Sequence, residues 1–290
     1  MTAVIDTHGL GMRYRTRWAL AECTLSIPAG HVVGLVGPNG AGKTTLLNLA
    51  AGLLKPSTGS VAVLGERPGS SPAQLSRVGF VAQDAPVYPA LSVADHLRLG
   101  ARLNPGWDDR YAQRHVGQLG LDPRLRAGKL SGGQRAQLAL TLAAAKRPEL
   151  LLLDEPVASL DPLARREFLT HLSAAVTDRG TSVVLSSHLI TDLAQVCDHL
   201  IVLSTAHVQV AGPISDLLAT HRSLTGPGLT PLPAGYRAVA ANDQNTGTTI
   251  VAHGAYPVAE PAWRVSEVGL EDLVLAYLSR GRSNGSETTR

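Results

Sequence analysis

The sequence predicts an α/β protein. It expects a mainly parallel sheet with helices on both faces, an antiparallel β edge, an inserted helical subdomain and a small C-terminal α+β extension. Three observations predict it. Short β-branched and leucine-rich runs alternate with helical stretches, the pattern of strands joined by crossover helices. Between about residues 90 and 146 the pattern becomes helical throughout, as an insertion into such a sheet would be. Past His221 the composition shifts to Pro and Gly and then to strand-like pieces.

Taken in order, residues 19–27 carry an apolar run and 31–36 (HVVGLV) a short β-branched strand that ends at Gly37. A glycine turn follows, and then 42–53 (GKTTLLNLAAGL) with apolar residues at helical spacing. Further strands are expected at 60–64 and 78–82. Helices are expected at 91–103, 109–119 and 132–145, with NPG and LDP as breaks. Residues 150–153 read as a buried strand, 162–176 as a helix, and 181–187, 198–203 and 207–210 as strands. The expected organisation is therefore one domain over 1–220, with its helical subdomain at about 88–146, and a Pro/Gly linker at 221–235. A small extension at 236–281 closes on a helix over 269–279, and 282–290 (RSNGSETTR) is expected to be disordered.

Composition narrows the function. With 290 residues and 44% hydrophobic side chains the chain can bury a sizeable core. Aromatic residues are only 4%, too few for a stacking platform for single strands. A formal net charge of +3 gives no long-range case for DNA or RNA. Cys23 and Cys197 form no CxxC pair, so neither a disulfide framework nor a cysteine-rich zinc site is expected. No run reaches the roughly 18 apolar residues of a membrane span, and the start lacks a signal-peptide pattern. The expectation is a cytoplasmic protein that reaches a membrane only through a partner.

Three motifs carry chemistry. Gly37-Pro38-Asn39-Gly40-Ala41-Gly42-Lys43-Thr44 matches GxxxxGK[ST] between a strand and a helix, and Thr45 continues it. Glycines let successive backbone N–H groups wrap a polyphosphate at the helix N-terminus. Lys43 is placed to reach the β- and γ-phosphates and Thr44 to ligate Mg²⁺. The run LLLLDE at 150–155 buries four leucines and then presents Asp154 for the metal and Glu155 for the attacking water. Leu130-Ser131-Gly132-Gly133-Gln134 is a second glycine-rich turn at the start of a helix, a second candidate anion site. The first motif makes the fold a P-loop NTPase core. His31, His96, His115, His171 and His199 show no partner pattern and read as structural or solvent-exposed.

Together these motifs resemble the nucleotide-binding subunit of ABC transporters, over about residues 3–218. In that family LSGGQ is the signature that meets the phosphate loop of the opposite subunit, here Ser131, Gly132, Gly133 and Gln134. The resemblance implies that Gln83, after VGFVA, senses Mg²⁺ and the attacking water, and that 158–161 (ASLD), ending in Asp161, crosses a dimer interface. His188, after TSVVLSS, stands where the family places the switch histidine, and Tyr14 where it places the aromatic that stacks on adenine, with Trp18 a competitor. Val157 stands where many members carry Thr.

The resemblance implies an ATP- and Mg²⁺-dependent ATPase. It would work as a homodimer or a heterodimer with a related ATPase subunit, sandwiching two nucleotides, and would dock on a membrane permease through residues 84–97, with Pro86, Tyr88 and Pro89 as contacts. Efflux is the expected direction and no nucleic-acid partner is expected. The alternative is an ABC ATPase acting on nucleic acid or ribosomes. Against it, only 89 positions separate Gly42 from Ser131, with neither a coiled coil nor a zinc module between them.

Overall fold

The computed structural model describes residues 3–84, 87–158, 160–177, 180–227, 231–244, 247–254 and 262–287. Ala85, Pro86 and Ser159 lie outside the described residues. The chain opens with two long strands, β1 (Ala3–Tyr14) and β2 (Arg17–Pro28), followed by β3 (Val32–Val36), helix α1 (Lys43–Ala50) and β4 (Thr58–Val63). A short α2 (Pro72–Ser76) leads into β5 (Val78–Val81). The helical block holds α3 (Val93–Leu103), α4 (Asp109–Gln118), a 3-10 turn at Ala127–Lys129 and α5 (Gly132–Ala145). Then come β6 (Leu150–Asp154), α6 (Pro162–Thr177), β7 (Ser182–Ser187), α7 (Ile190–Val196), β8 (His199–Ser204) and β9 (His207–Pro213). The C-terminal part comprises α8 (Ile214–Thr220), β10 (His221–Gly226), β11 (Tyr236–Gln244), β12 (Gly247–Gly254), β13 (Arg264–Glu267) and α9 (Leu270–Glu287).

The central sheet has six strands in the order β5-β6-β7-β3-β8-β9. All neighbours are parallel except β9, which pairs antiparallel with β8 and forms the edge. Because both faces are covered, β6 and β7 are buried at every residue, and so they read as unbroken apolar runs. Alternation assigns each leucine to a layer. Leu150 and Leu152 pack with Leu46 and Leu47 of α1 and with β1 and β2. Leu151 and Leu153 face the other way, onto Leu140, Phe168 and Leu193 of α5, α6 and α7. The first face is completed by a separate antiparallel sheet, β2-β1-β4, rather than by helices alone. β1 was not legible as a strand, because the polar stretch Asp6-Thr7-His8-Gly9 contains a register shift that hides the alternation.

The helical block closes its own small core around Val93, Leu97, Ala112, Val116, Leu130 and Leu138. Its helices start on side-chain caps: Ser92 with Asp95, Asp108 with the Tyr111 N–H, and Ser131 with Gln134.

Two expectations are corrected at the C-terminus. Residues 221–226 are not linker: they form β10, the strand between β12 and β13 in the sheet β11-β12-β10-β13. One leucine, Leu224, was too weak a signal to show it. The closing helix does not stop at Ser279 but runs to Glu287, into the segment expected to be disordered, since no proline intervenes to end it. Its Leu273, Val274, Ala276 and Tyr277 join the core of the central sheet, alongside Phe168 and Leu200. His221 ties the same region together, with Nδ1 on the Leu217 carbonyl at 2.7 Å and Nε2 on the Tyr277 hydroxyl at 2.8 Å. Both cysteines are free, and burial pushes the thiols up, Cys23 to about 11 and Cys197 to about 12.

Candidate active site

Parallel strands bring their C-terminal ends to one edge, where α/β proteins build sites. Here the loop after β3, the acids ending β6 and the serines ending β7 meet. The phosphate loop needs its glycines sterically. A Cβ on Gly37 would lie 2.3 Å from the Leu203 carbonyl oxygen, and one on Gly42 2.4 Å from that of Ala19. Gly42 also sits at φ +109 and Gly40 at φ +79. Pro38 is half-buried, Asn39 exposed and Ala41 buried; the Ala41 N–H donates to the Pro38 carbonyl at 3.1 Å and closes the turn. Gly42 caps α1 with no side-chain hydrogen bond, so the first amides of that helix are left for another acceptor.

Lys43, the first residue of α1, is buried. Its Nζ donates to the Gly37 carbonyl at 2.7 Å and the Pro38 carbonyl at 3.4 Å, and pairs with Glu155 Oε1 at 3.0 Å. Glu155 Oε2 lies 2.9 Å from His188 Nδ1. Burial works to raise the Glu155 carboxyl, but Lys43 and then His188 outweigh it and hold the group below the usual carboxylate range. Glu155 is thus an anion clasped between two side chains from different elements. Its backbone is left-handed at φ +45, a strained conformation for a non-glycine residue.

Ser186 supports that strain. In register opposite Asp154 on the neighbouring strand, its hydroxyl donates to Asp154 Oδ1 at 2.8 Å and accepts from the Glu155 N–H at 2.8 Å. One buried hydroxyl orients both acids. Sequence reading missed it, because only the parallel register places the serine of VVLSS beside LLLLD. It also missed Asp192, on the unanticipated helix α7. This buried carboxylate lies 3.7 Å from the Arg165 guanidinium, and burial raises its pKa.

The remaining predicted residues make no side-chain hydrogen bond to these acids among the described residues. Thr44 is exposed and Thr45 half-buried. Gln83 is exposed on the turn after β5, with no hydrogen bond to Asp154 or Glu155 among the described residues. Ser131 and Gln134 satisfy each other. The Gln134 N–H donates to Ser131 Oγ at 3.1 Å and the Ser131 N–H to Gln134 Oε1 at 2.9 Å. Gly132 has open space around it, whereas a Cβ on Gly133 would come within 3.0 Å of Ala164. Asp161 caps α6 through the Leu163 and Ala164 N–H groups at 3.0 and 2.9 Å. Val157 is in the core, where a methyl in place of a hydroxyl needs no partner. Tyr14 and Trp18 are 48% and 39% exposed at the β1–β2 turn. Trp18, with Arg17, Gly40 and Thr205, lines a cleft of about 790 Å³; Tyr14 is outside that lining.

Residues 20–158 match the family model described as ABC transporter. The chain is 34% identical over 223 residues to the thiamine import ATP-binding protein ThiQ of Salmonella choleraesuis, covering 74% of this chain and 90% of ThiQ. It is 36% identical over 195 residues to the molybdenum import ATP-binding protein ModC of Mesorhizobium japonicum, covering 64% of this chain and 52% of ModC. Among solved structures, cbiO1 of Clostridium perfringens, part of the ABC transporter complex cbiONQ, superposes with a TM-score of 0.65 at 25% identity, covering 76% of this chain and 92% of cbiO1. The efflux expectation finds no support in these comparisons: ThiQ and ModC are both named as import proteins.

Proposed function

From its place in the ABC transporter family, to which this chain belongs as an ATP-binding subunit, we propose that it hydrolyses ATP with Mg²⁺ and passes the resulting opening and closing to a membrane permease. The observation that carries this reading is the clasp of Lys43 and His188 on the Glu155 carboxylate, at the head of a helix whose N-terminus has no side-chain cap. Incoming polyphosphate finds amide donors from Gly40 to Thr45 and competes with Glu155 for Lys43 Nζ. Releasing Lys43 frees Glu155 Oε1 to take a proton from water, while His188 holds the other oxygen until it turns to the γ-phosphate. The metal donor set is all oxygen, from the Thr44 hydroxyl, the Asp154 carboxylate and the Gln83 amide, which suits the hard Mg²⁺ ion. Those residues would hold it, and it would neutralise charge on the β- and γ-phosphates. Ser186 keeps Asp154 aimed, Gln83 swings in from its exposed turn, and adenine stacks at the Tyr14–Trp18 end of the β1–β2 hairpin.

The signature Ser131-Gly132-Gly133-Gln134 and Asp161 complete the site of a second ATPase subunit, so two subunits close on two nucleotides. No helix among the described residues is long and apolar enough to cross a membrane. In this reading the permease is a partner subunit, docked near Tyr88 and Pro89, that holds this subunit at the membrane. The names of the relatives support import as the direction.

The test is Glu155→Gln, which keeps size and polarity but removes the proton acceptor. Steady-state hydrolysis should fall about 10² to 10⁴-fold, and gel filtration in ATP and Mg²⁺ should show a dimer that the wild type does not accumulate. A variant that hydrolyses at the wild-type rate overturns the assignment.

A further inference from the structure

At the opposite edge of the central sheet, where its parallel strands begin, stand three groups that ATP hydrolysis does not use. His31 immediately precedes β3, Asp198 precedes β8, and His199 is the first residue of β8. The two strands are parallel neighbours, with Val33 opposite His199, so residues 167 positions apart in sequence meet side by side. The sequence alone left both histidines without a partner. Asp198 is anchored by its backbone, with its N–H on the Val32 carbonyl at 3.0 Å and its carbonyl accepting from the Ile214 N–H at 2.8 Å. Its carboxylate bridges the two rings. Oδ2 is 2.8 Å from His31 Nδ1 and Oδ1 is 3.1 Å from His199 Nδ1, and Oδ1 also accepts from the Val32 N–H at 3.1 Å. The ring centroids are 4.2 Å apart.

We propose that His31, Asp198 and His199 form a binding site for a divalent transition metal of the zinc class. One ligand atom from each residue lies within 4.8 Å of the other two, so the three donors already converge on one point. Zinc holds imidazole nitrogen and carboxylate oxygen at about 2.0 to 2.2 Å, which sets neighbouring ligand atoms roughly 3.3 Å apart in a tetrahedron. The observed separations, 2.8 Å from His31 Nδ1 to Oδ2 and 3.1 Å from His199 Nδ1 to Oδ1, put one carboxylate oxygen beside each ring. A metal would take the place of the two ring N–H protons, with the carboxylate turning to present one oxygen or both. Two imidazoles and one carboxylate suit zinc, copper or nickel and are a poor set for magnesium, which separates this site chemically from the nucleotide edge. The side chains of His31, His199 and Asp198 are 31%, 14% and 54% exposed, so an ion has a path in, and a fourth position stays open to water. A bound ion would staple the strand that carries the phosphate loop to β8 and, through Ile214, to the start of α8.

The test is calorimetric titration of untagged, metal-stripped full-length protein with Zn²⁺, and with Co²⁺ followed by visible absorption. Wild type should take up one equivalent saturably at micromolar metal, with a Co²⁺ ligand-field band and a raised melting temperature. His31→Gln and His199→Gln should each weaken binding about 10-fold or more, while Mg²⁺-dependent ATP hydrolysis, which serves as the folding control, stays unchanged. Asp198→Asn should weaken it as well. Lack of a saturable equivalent in the wild type overturns the proposal, as does binding that survives in His31→Gln. The wild-type result stands without any variant, and His31 lies outside the strands, so loss of binding in its variant is not loss of the sheet.

Discussion

Two glycine-rich loops in this chain each open a helix, and they are built in opposite ways. At α1 the cap residue is Gly42, no side chain caps the helix, and the lysine that follows is buried against an acid. At α5 the cap is Ser131, and it exchanges two hydrogen bonds with Gln134. Both have the dipole and free amides that attract anions. Only the first surrounds them with a shaped cradle, an internal cation and a neighbouring pair of acids. The second is a turn on which Ser131 and Gln134 cap each other, with no such cradle, cation or acid pair described around it. Two motifs that look alike in sequence are thus surrounded differently in the fold, and the function proposed above makes the second of them half of a site.

The largest effect that tests this contrast is Lys43→Ala. Removing the buried lysine of the phosphate loop should lower ATP hydrolysis about 10³-fold and abolish tight nucleotide binding by the single chain, measured by fluorescent-nucleotide titration. It also strips Glu155 of its main counter-charge. Near-normal turnover would show that the cradle is not where the polyphosphate sits.

Ser186→Ala is next. With its hydroxyl gone, Asp154 loses a 2.8 Å bond and the left-handed Glu155 its N–H acceptor. Hydrolysis should fall about 10 to 100-fold, and the Mg²⁺ concentration for half-maximal rate should rise while nucleotide affinity without metal is unchanged. A uniform loss of all three with a lowered melting temperature would reduce Ser186 to a packing role.

The smallest effect is expected at the second loop. Ser131→Ala removes one cap and should cost about 1 kcal/mol of stability, seen as a shift of roughly 2 to 4 °C in melting temperature. Nucleotide binding by the isolated chain should be unaffected. If Ser131→Ala weakened that binding as severely as Lys43→Ala, the two loops would belong to one site within one chain and the contrast would be lost.

Much of this was legible beforehand, for identifiable reasons. GPNGAGKT and LLLLDE state their context locally: strand, turn and helix follow one another within a dozen residues, and a strand buried on both faces has to be apolar throughout. Helices with strong caps, such as α3 and α5, were placed within a few residues. The strand β1 was hidden by its bulge, and β10 by polar residues that a sheet tolerates once both its neighbours are paired. The short helices α7 and α8 carry too few turns to show a period.

Sequence by itself determined the class of fold, the phosphate loop and the acidic pair, because each is encoded in a contiguous run whose chemistry is local; the histidine after β7 was picked out only by the family resemblance. Tertiary structure alone decided which side chains touch. Register across β6 and β7 put Ser186 between Asp154 and Glu155, and register across β3 and β8 put His31 beside Asp198 and His199. Helix packing drew Lys43 onto Glu155 rather than leaving it in solvent, and it carried α9 back into the central core. These are contacts between residues far apart in the chain. Their partners are set by strand order and pairing offset, which no local pattern of residues records.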